Sequence, residues 1–383
     1  MGCYATLSIF YYIENMKKIL FIITTVCLLC ISCNPKKESS KININTEKID
    51  FGSFEIIKNT FPESIIKNKK YIPLDNSNDD ILFSEIDKIK IADSSIYILD
   101  EKLRKLIVFD SSGVGKGKVG RMGQGPEEYI RITDFDVNNA GDIYFIDGTS
   151  DKLFVFDKNL HFVSVQKMHF EADIIHCLPN NKLLFGLSSW NKGENENKKI
   201  AITNVKLETE ESFLQYDEYK DDNYWISNYF FIDVENSILY NKPIDNFVYQ
   251  FSETGALEKA YYFDFGKKNV PDEDKKDIDG NSEKYKYYCC LKNFTIINNE
   301  YILGTLRDEL KTKTFIIDRK NKKLYISKEI AAGDISNISG FFNNQLISFL
   351  YPGKDNVLSM DLPDNIKKHI EGENFVICLY ELR

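Results

Sequence analysis

The sequence predicts an all-β fold, a six-bladed β-propeller with four-stranded antiparallel blades. The first observation is a near repeat, in which IYILD and KLIVFD at 96–110 return 47 residues later as IYFID and KLFVFD at 143–157. A period of about 40–50 residues built from short apolar strands is typical of one propeller blade. The second observation is the regular spacing of the equivalent third-strand positions, which are 47, 46 and 49 residues apart at Phe109, Phe156, Ile202 and Phe251.

The composition agrees with a strand-rich fold. The chain has 383 residues, of which 22 are Tyr, 27 Phe and only two Trp. Aromatic and apolar residues in this proportion favour strands and a sizeable core. The net charge of −9 argues against a nucleic-acid partner, because binding phosphates requires a basic stripe.

Each predicted blade consists of strand-like runs separated by turn residues such as Gly, Asn and Asp. In chain order the predicted blades cover 86–121, 132–168, 174–215, 237–265, 294–327 and 335–381. The insertion at 267–288 is rich in Lys, Asp and Glu and is predicted to be a solvated excursion between blades four and five. A strand at 70–74 is expected to pair with the last blade, because closing the ring removes open edges.

The N-terminal region 1–33 has the pattern of an export signal. Lys17 and Lys18 precede an apolar run at 19–31 that ends at Ser32 and Cys33. The run is short for a membrane span. A small residue directly before a cysteine resembles a bacterial lipobox, which predicts a lipid on Cys33 and an outer-membrane lipoprotein, periplasmic or surface-exposed. A plain secretory signal and a retained membrane anchor are the alternatives.

Two further regions follow the signal region. Residues 34–69 are predicted to form a tether and N-terminal extension, because the segment after Cys33 is polar and rich in Lys, Ser and Asn. Residues 70–383 are predicted to form a single propeller domain. Cys177, Cys289, Cys290 and Cys378 are too few for a disulfide scaffold in so long a chain, and unpaired thiols are expected.

Two segments carry a resemblance to a known family. The Asp-ended strand pairs resemble NHL-type repeats, and the connector GRMGQGPEEY at 120–129, together with YIPLD at 71–75, resembles six-bladed β-propeller lipoproteins common in gut bacteria. Members often show Gly-Arg-x-Gly-x-Gly-Pro-Gly-Glu-Tyr in the connector, where this chain has Glu127 in place of the last glycine. The resemblance implies a binding-type propeller of the cell envelope without an established reaction.

The connectors between blades lie on the same face as the turns between second and third strands, so their polar residues are predicted to form a ligand face. Arginines there would pair with anions or hydroxyls, and aromatic rings would stack on a sugar. In the alternative interpretation, the aspartates cap their own turns, Arg121 and Glu128 lock neighbouring blades together, and the tryptophan packs at a blade interface. The candidate residues are Asp100, Arg104, Arg121, Gln124, Glu128, Tyr129, Asp147, Trp190, Lys242 and Arg307.

The sequence assigns no catalytic residue and no metal ligand. Its four histidines lack the close spacing of a zinc site, and no Gly-x-Ser-x-Gly elbow is present. No cofactor is expected, although calcium could sit among inner-face carboxylates of the central channel. The predicted function is a binding or interaction module for a glycan, a peptide or an envelope protein, attached to the membrane only through its lipid. The alternative is a metal-dependent hydrolase or lyase of the propeller lactonase type, which a central cluster of carboxylates would favour.

Overall fold

A computed structural model describes residues 44–58, 63–92, 94–216, 229–242, 246–277, 280–327, 338–352 and 361–383. The predicted signal region and Cys33 lie outside these residues. The chain from Asn45 onwards forms one compact unit. Among the described residues, no helix combines the length and apolar character that crossing a membrane requires.

The predicted fold is confirmed: six sheets, each with four antiparallel strands, form the blades of a propeller. Three strands precede the first blade: β1 (Thr46–Asp50), β2 (Glu55–Lys58) and β3 (Ile66–Pro73). Blade 1 contains β4 (Lys88–Ala92), β5 (Ser95–Asp100), β6 (Lys105–Asp110) and β7 (Gly115–Lys118), and the short β8 (Arg121–Met122) and β9 (Glu128–Tyr129) pair within the following connector. Blade 2 contains β10 (Ile132–Val137), β11 (Ile143–Asp147), β12 (Lys152–Phe156) and β13 (Phe162–Lys167).

The remaining blades follow the same order from the inner to the outer strand. Blade 3 contains β14 (Ala172–Leu178), β15 (Lys182–Leu187), β16 (Lys198–Asn204) and β17 (Thr209–Gln215). Blade 4 contains β18 (Ile232–Val234), β19 (Ser237–Tyr240), β20 (Phe247–Ser252) and β21 (Leu257–Asp264), and blade 5 contains β22 (Cys289–Ile297), β23 (Tyr301–Asp308), β24 (Lys311–Asp318) and β25 (Lys323–Ser327). Blade 6 contains β26 (Gly340–Phe342), β27 (Gln345–Leu350), β28 (Val376–Leu382) and, as its outer strand, β3.

The ring closes through the N-terminal part of the chain. Strand β3 pairs antiparallel with β28, from Pro73 opposite Val376 to Ile66 opposite Leu382. The pairing predicted for 70–74 is therefore present, on a strand that begins earlier than expected. The chain has a short helix α1 (Asp272–Lys275) and a longer helix α2 (Asp364–Glu371). Helix α2 supports the ring closure, because a ring nitrogen of His369 lies 3.0 Å from the Leu74 carbonyl.

The N-terminal extension also adds strands to two blades. Strand β1 pairs in parallel with β21 of blade 4, and β2 pairs in parallel with β25 of blade 5. Glu47 on β1 connects these blades, since its carboxylate lies 2.6 Å from Lys259 and 2.5 Å from Arg319. Strands β1 and β2 of the extension are therefore built into the outer wall of the propeller.

The repeated aspartates at the ends of third strands are explained by their turns. Asp110 accepts hydrogen bonds from the backbone N–H groups of Ser112 and Val114, and Asp157 accepts them from Asn159 and His161. An aspartate that bonds to its own backbone two to four residues on stabilises a tight turn. The repeated aspartates in the sequence therefore mark the turns that follow the third strands of successive blades.

Two faces of the propeller follow from this strand order. The hairpin face carries the turns between first and second strands and between third and fourth strands, for example 138–142 and 253–256. The connector face carries the turns between second and third strands and the links between blades, for example 101–104 and 119–131. All ten candidate residues predicted from the sequence belong to the connector face.

Most of the described charged residues of the insertion at 267–288 are exposed, as expected of a solvated excursion, but the insertion also contributes buried side chains. Val270 and Tyr285 are buried in a cluster with Tyr216 and Cys290, and Asp274 is buried beside Lys284 at 2.6 Å. The charged residues of the insertion therefore cover an apolar seam. Cys289 and Cys290 are free thiols, as predicted, and burial raises the pKa of Cys290 to about 11.

We expect truncation before Glu63 to leave a folded but less stable propeller and truncation through Leu74 to abolish cooperative unfolding. The first change removes only the added strands β1 and β2, whereas the second removes the outer strand of blade 6 and exposes the edge of β28. Urea unfolding followed by circular dichroism measures both. A cooperative transition of unchanged midpoint after the longer truncation would show that β3 does not close the ring.

Candidate functional site

The aspartates that end the second strands of blades 1 and 2 hold the connectors that enter those blades. Asp100 accepts hydrogen bonds from the Ser84 N–H at 2.7 Å and from the Leu103 N–H at 2.7 Å. Asp147 accepts them from the Ile130 N–H at 2.8 Å and from the Ser150 hydroxyl at 2.7 Å. Both carboxylates are buried. Their contacts are those of the alternative interpretation, in which they stabilise turns.

Arg121 and Glu128 pair with each other inside the glycine-rich connector. The Arg121 Nε lies 3.3 Å from a Glu128 carboxylate oxygen, and Glu128 also accepts a hydrogen bond from the Gly125 N–H at 2.9 Å. Gly120 has a φ of +66°, and a Cβ there would lie 2.8 Å from the Phe156 ring, which explains the glycine. The connector is therefore a locally folded loop that exposes Arg121 and Gln124.

Tyr129 is part of the core between blades 1 and 2. Its side chain is only 2% exposed, its ring meets Phe145 edge to face at 5.3 Å, and its hydroxyl donates to the Arg104 carbonyl at 2.9 Å. Stacking on a ligand would require the ring to leave this packing. Arg104 is exposed, with a φ of +55° in the turn between β5 and β6.

The remaining candidates lie on blades 3, 4 and 5. Trp190 is 48% exposed, and its indole N–H donates to Glu171. Lys242 is buried, where its ammonium lies 2.6 Å from the Tyr216 hydroxyl and 3.8 Å from Asp173. Arg307 is half-buried on β23. The structure thus leaves Arg104, Arg121, Gln124 and Trp190 exposed on the connector face, and binding there stays a prediction.

A group of charged side chains meets inside the central channel, on the inner strands of four blades. Lys90 contacts the Asp136 carboxylate and lies 3.1 Å from that of Asp233. The two nitrogens of His176 lie 3.1 Å from Asp136 and 3.3 Å from Asp233. We call Lys90, Asp136, His176 and Asp233 the channel network. Because blades 1 and 4 stand opposite each other in a six-bladed ring, the Lys90–Asp233 pair spans the channel.

A second ion pair lies beside the channel network. The Lys88 ammonium lies 2.6 Å from Asp134 and 2.7 Å from the Phe135 carbonyl, and it stands 5.1 Å from the centre of the Phe230 ring. Asp134 also accepts a hydrogen bond from the Ile175 N–H at 2.8 Å. Each charge in this pair is therefore met by an opposite charge and by further polar or aromatic groups, as burial requires.

The electrostatics keep the channel network ionised. Burial alone would raise the pKa of Asp136, but the charges of Lys90 and His176 hold this pKa well below its usual value. Burial would likewise lower the pKa of Lys90, but the carboxylates of Asp136 and Asp233 raise it above its usual value. The pKa of Asp233 is lowered by Lys90 and His176 against the effect of burial. At neutral pH the network therefore holds charged carboxylates and a charged ammonium.

A cavity of about 640 Å³ opens above the channel network on the hairpin face. The side chain of Asp233 is 50% exposed and reaches its floor. Such a volume is in the range of small-molecule sites. Its rim is formed by turns of blades 2, 4 and 6 and includes Asn138, Asn139, Glu235, Glu253, Asn343 and Asn344. We call this space the hairpin-face cavity.

These channel residues are not among those predicted from the sequence, because the predicted ligand face consists of turns and connectors. A signal was present, since Lys88 and Lys90 alternate on one inner strand and Asp134 and Asp136 alternate 46 residues later on the next. Charged residues at every second position of an otherwise apolar inner strand indicate a channel-facing row. His176 and Asp233 carry no such signal, because each is a single polar residue on its strand face.

The central carboxylates that would favour a metal-dependent enzyme, those of Asp136 and Asp233, are in contact with Lys90 and His176. A different group, formed by Glu85, Asp87 and Asp100, brings carboxylate oxygens within 4.8 Å of one another at the connector end. Burial raises the pKa of Asp87, and the neighbouring carboxylates of Glu85 and Asp100 add to this. The Asp100 carboxylate already accepts hydrogen bonds from backbone N–H groups. Calcium binding stays a prediction.

Comparisons with known proteins match the chain to one family model and to several solved structures. A family model described as a domain of unknown function, DUF4934, matches residues 39–375. None of the curated proteins compared with the sequence matches it.

Several solved structures share the architecture. A Bacteroides fragilis protein that is expected to be exported is 18% identical, with a TM-score of 0.68 over 86% of this chain and 100% of its own. A DUF4221 member from Bacteroides vulgatus is 8% identical, with a TM-score of 0.48 over 83% of this chain and 97% of its own. Virginiamycin B lyase from Staphylococcus aureus is 12% identical, with a TM-score of 0.38 over 68% of this chain and 73% of its own. At these identities the likeness concerns the fold alone.

We expect Lys90→Met to lower the free energy of unfolding by about 3–5 kcal/mol at pH 7, because it leaves Asp136 and Asp233 charged without their ammonium partner. Urea unfolding measures the loss. Lys167→Met is the matched control, since Lys167 forms an exposed pair with Asp151 and should change stability by less than about 1 kcal/mol.

The effect of Lys90→Met should also depend on pH. The folded-state pKa of Asp136 and Asp233 is depressed, so their contribution is present above the unfolded value of about 3.9 and is lost as pH falls through the folded pKa. The difference between wild type and variant should therefore be largest near pH 7 and shrink below about pH 4. A constant difference across this range would contradict the charge pairing.

Proposed function

We propose that this chain, which belongs to the DUF4934 family, is a binding module of the cell envelope. The family is defined by a domain of unknown function, so the proposal is argued from the geometry of the chain. The module receives a polar ligand in the hairpin-face cavity. The ligand is a glycan or a peptide, free or carried by an envelope protein. The observation that carries this proposal is a cavity of about 640 Å³ with a floor of mutually paired charges.

A paired and buried floor suits recognition because its groups are held in place before a ligand arrives. Asp136 accepts hydrogen bonds from the Cys177 N–H at 2.7 Å in addition to its ionic partners, which fixes its orientation. Asp233 is held between Lys90 and His176 while half of its side chain remains exposed. A fixed, exposed carboxylate is a strong acceptor for a hydroxyl or N–H of a ligand.

The proposed setting is the outer membrane, with a lipid on Cys33 and a tether that ends where β1 begins. The support for export is the pattern of basic and apolar residues at 17–33 and the likeness to a Bacteroides protein that is expected to be exported. The lipobox-like cysteine is the support for the lipid.

The connector face is a second candidate surface, favoured by the exposed Trp190 indole. Arg104, Arg121 and Gln124 are exposed on the same face. A metal-dependent hydrolase or lyase is the alternative to a binding module. It would need a cation among carboxylates, whereas those of the channel network already have cationic partners.

We expect Asp233→Asn to weaken ligand binding by about tenfold or more, because it removes the charged acceptor from the cavity floor. The measurement is binding of the purified protein to glycan and peptide arrays, followed by titration of each hit. Trp190→Ala is the control on the opposite face and should change affinity by less than about twofold. The reverse result, with binding lost only in Trp190→Ala, would place the site on the connector face.

Calcium is the test of the alternative enzyme. We expect the melting temperature to be the same in EDTA and in added calcium, because both channel carboxylates, Asp136 and Asp233, are already paired with the Lys90 ammonium. A ligand that binds only the native state raises its stability by mass action, so a bound metal would be visible as a shift. A melting temperature that falls in EDTA and recovers with calcium would favour the hydrolase or lyase.

A further inference from the structure

A second cavity of about 250 Å³ lies beside the hairpin-face cavity, between the turns of blades 2 and 3. The two cavities share four lining residues, Asn138, Asn139, Cys177 and Pro179. We call the second cavity the side groove. Because the shared residues line both cavities, the two spaces are adjacent, and a ligand seated above the channel network can extend outwards past these residues into the side groove.

The lining of the side groove is almost uncharged. Its amide groups come from the turns at 138–139 and 180–181, and its ring comes from Tyr144, which is half-buried. Lys182 is the charged residue in this lining, and its ammonium lies 2.8 Å from Glu210. Amide side chains both donate and accept hydrogen bonds, so they match hydroxyl groups in either role.

The charges of the larger cavity point to an uncharged ligand as well. The lining contains two lysines, and both already form ion pairs. Lys88 pairs with Asp134, and Lys90 pairs with Asp136 and Asp233. An anionic ligand would compete for these pairs and would meet Glu235 and Glu253 at the rim. A neutral polyhydroxyl chain can bond to Asp233 and to the amides without breaking an ion pair.

The strand order argues against an extended peptide in the side groove. Peptides that bind by strand addition need an open sheet edge, and this groove is lined by turns between paired strands β10 and β11 and between β14 and β15. The outer edges of blades 2 and 3 lie at the circumference, away from the channel.

We propose that the hairpin-face cavity and the side groove together bind a linear, neutral oligosaccharide, with one end above the channel network and the following sugar units passing Tyr144. This inference rests on the proposed function and specifies its ligand. It predicts that affinity rises with chain length until the side groove is filled.

Cys177 is a natural reporter, because it lies at the junction and is partly exposed, whereas Cys289, Cys290 and Cys378 are buried. Burial and Asp136 raise the pKa of the Cys177 thiol well above its usual value, and its labelling by a maleimide is followed by mass spectrometry of the Cys177 peptide. The probes are di- to hexasaccharides of α-1,4-glucan, β-1,3-glucan, β-1,4-xylan and β-1,4-mannan, each with the full chain. Oligogalacturonate, oligomeric chitosan and a mixed decapeptide library are the charged and peptide probes.

The expected result is protection of Cys177 by at least one neutral series, with the hexasaccharide about tenfold tighter than the disaccharide. Tyr144→Ala should reduce this gain with chain length, because it removes the ring that the later sugar units pass. If that variant does not fold, the length series on the wild-type protein decides alone. Equal protection by short and long chains, or stronger protection by a charged probe or by peptides, would overturn the inference while the proposed function stands. Failure of every probe to protect Cys177 would overturn both.

Discussion

The ion pair that spans the channel between Lys90 and Asp233 is the constraint on which the interior of this propeller depends. Six inner strands converge on one axis, so charges that point inwards share a narrow space and must neutralise one another. Lys90 and His176 each contact both Asp136 and Asp233, and four blades thereby meet in one network. Loss of Lys90 would leave the buried Asp136 carboxylate without its ammonium partner, which is why this pairing contributes to the stability of the interior.

The outside of the ring is held by the N-terminal part of the chain. Strands β1, β2 and β3 lie on blades 4, 5 and 6 in turn, and Glu47 ties blade 4 to blade 5 through Lys259 and Arg319. The channel network joins blades 1 to 4 from within, whereas these strands join blades 4 to 6 from outside. The hairpin-face cavity lies above the network, so its floor is formed by side chains from several blades.

Much of the fold could be predicted from the sequence because the blades repeat a local turn chemistry. Asp110 and Asp157 stabilise equivalent hairpins, and their spacing therefore indicates one blade each. Strands β1 and β2 could not be predicted, since they pair in parallel through their backbones and their side chains are mostly polar and exposed. The lipid on Cys33 and the NHL-like character of the repeats stay predictions.

The candidate site was harder to predict than the fold. Asp100 and Asp147 have the polar character of site residues, yet their carboxylate oxygens accept hydrogen bonds from backbone N–H groups. These hydrogen bonds cannot be predicted without knowing the path of the connector. Tyr129 and Lys242 are amphipathic side chains, and the structure buries both of them with their polar ends bonded. The alternation of lysines and aspartates among the channel residues can be recognised in the sequence. Their pairing across the ring, however, depends on how the ring of blades closes.

The most direct test of this account is a double-mutant cycle on Lys90 and Asp136, with Lys90→Met, Asp136→Leu and the double variant unfolded in urea at pH 7. If the two charges sustain each other inside the channel, the double variant is more stable than the sum of the single losses by about 2–3 kcal/mol. Additive losses, with a coupling below about 0.5 kcal/mol, would contradict the channel network as the organising interaction of the interior.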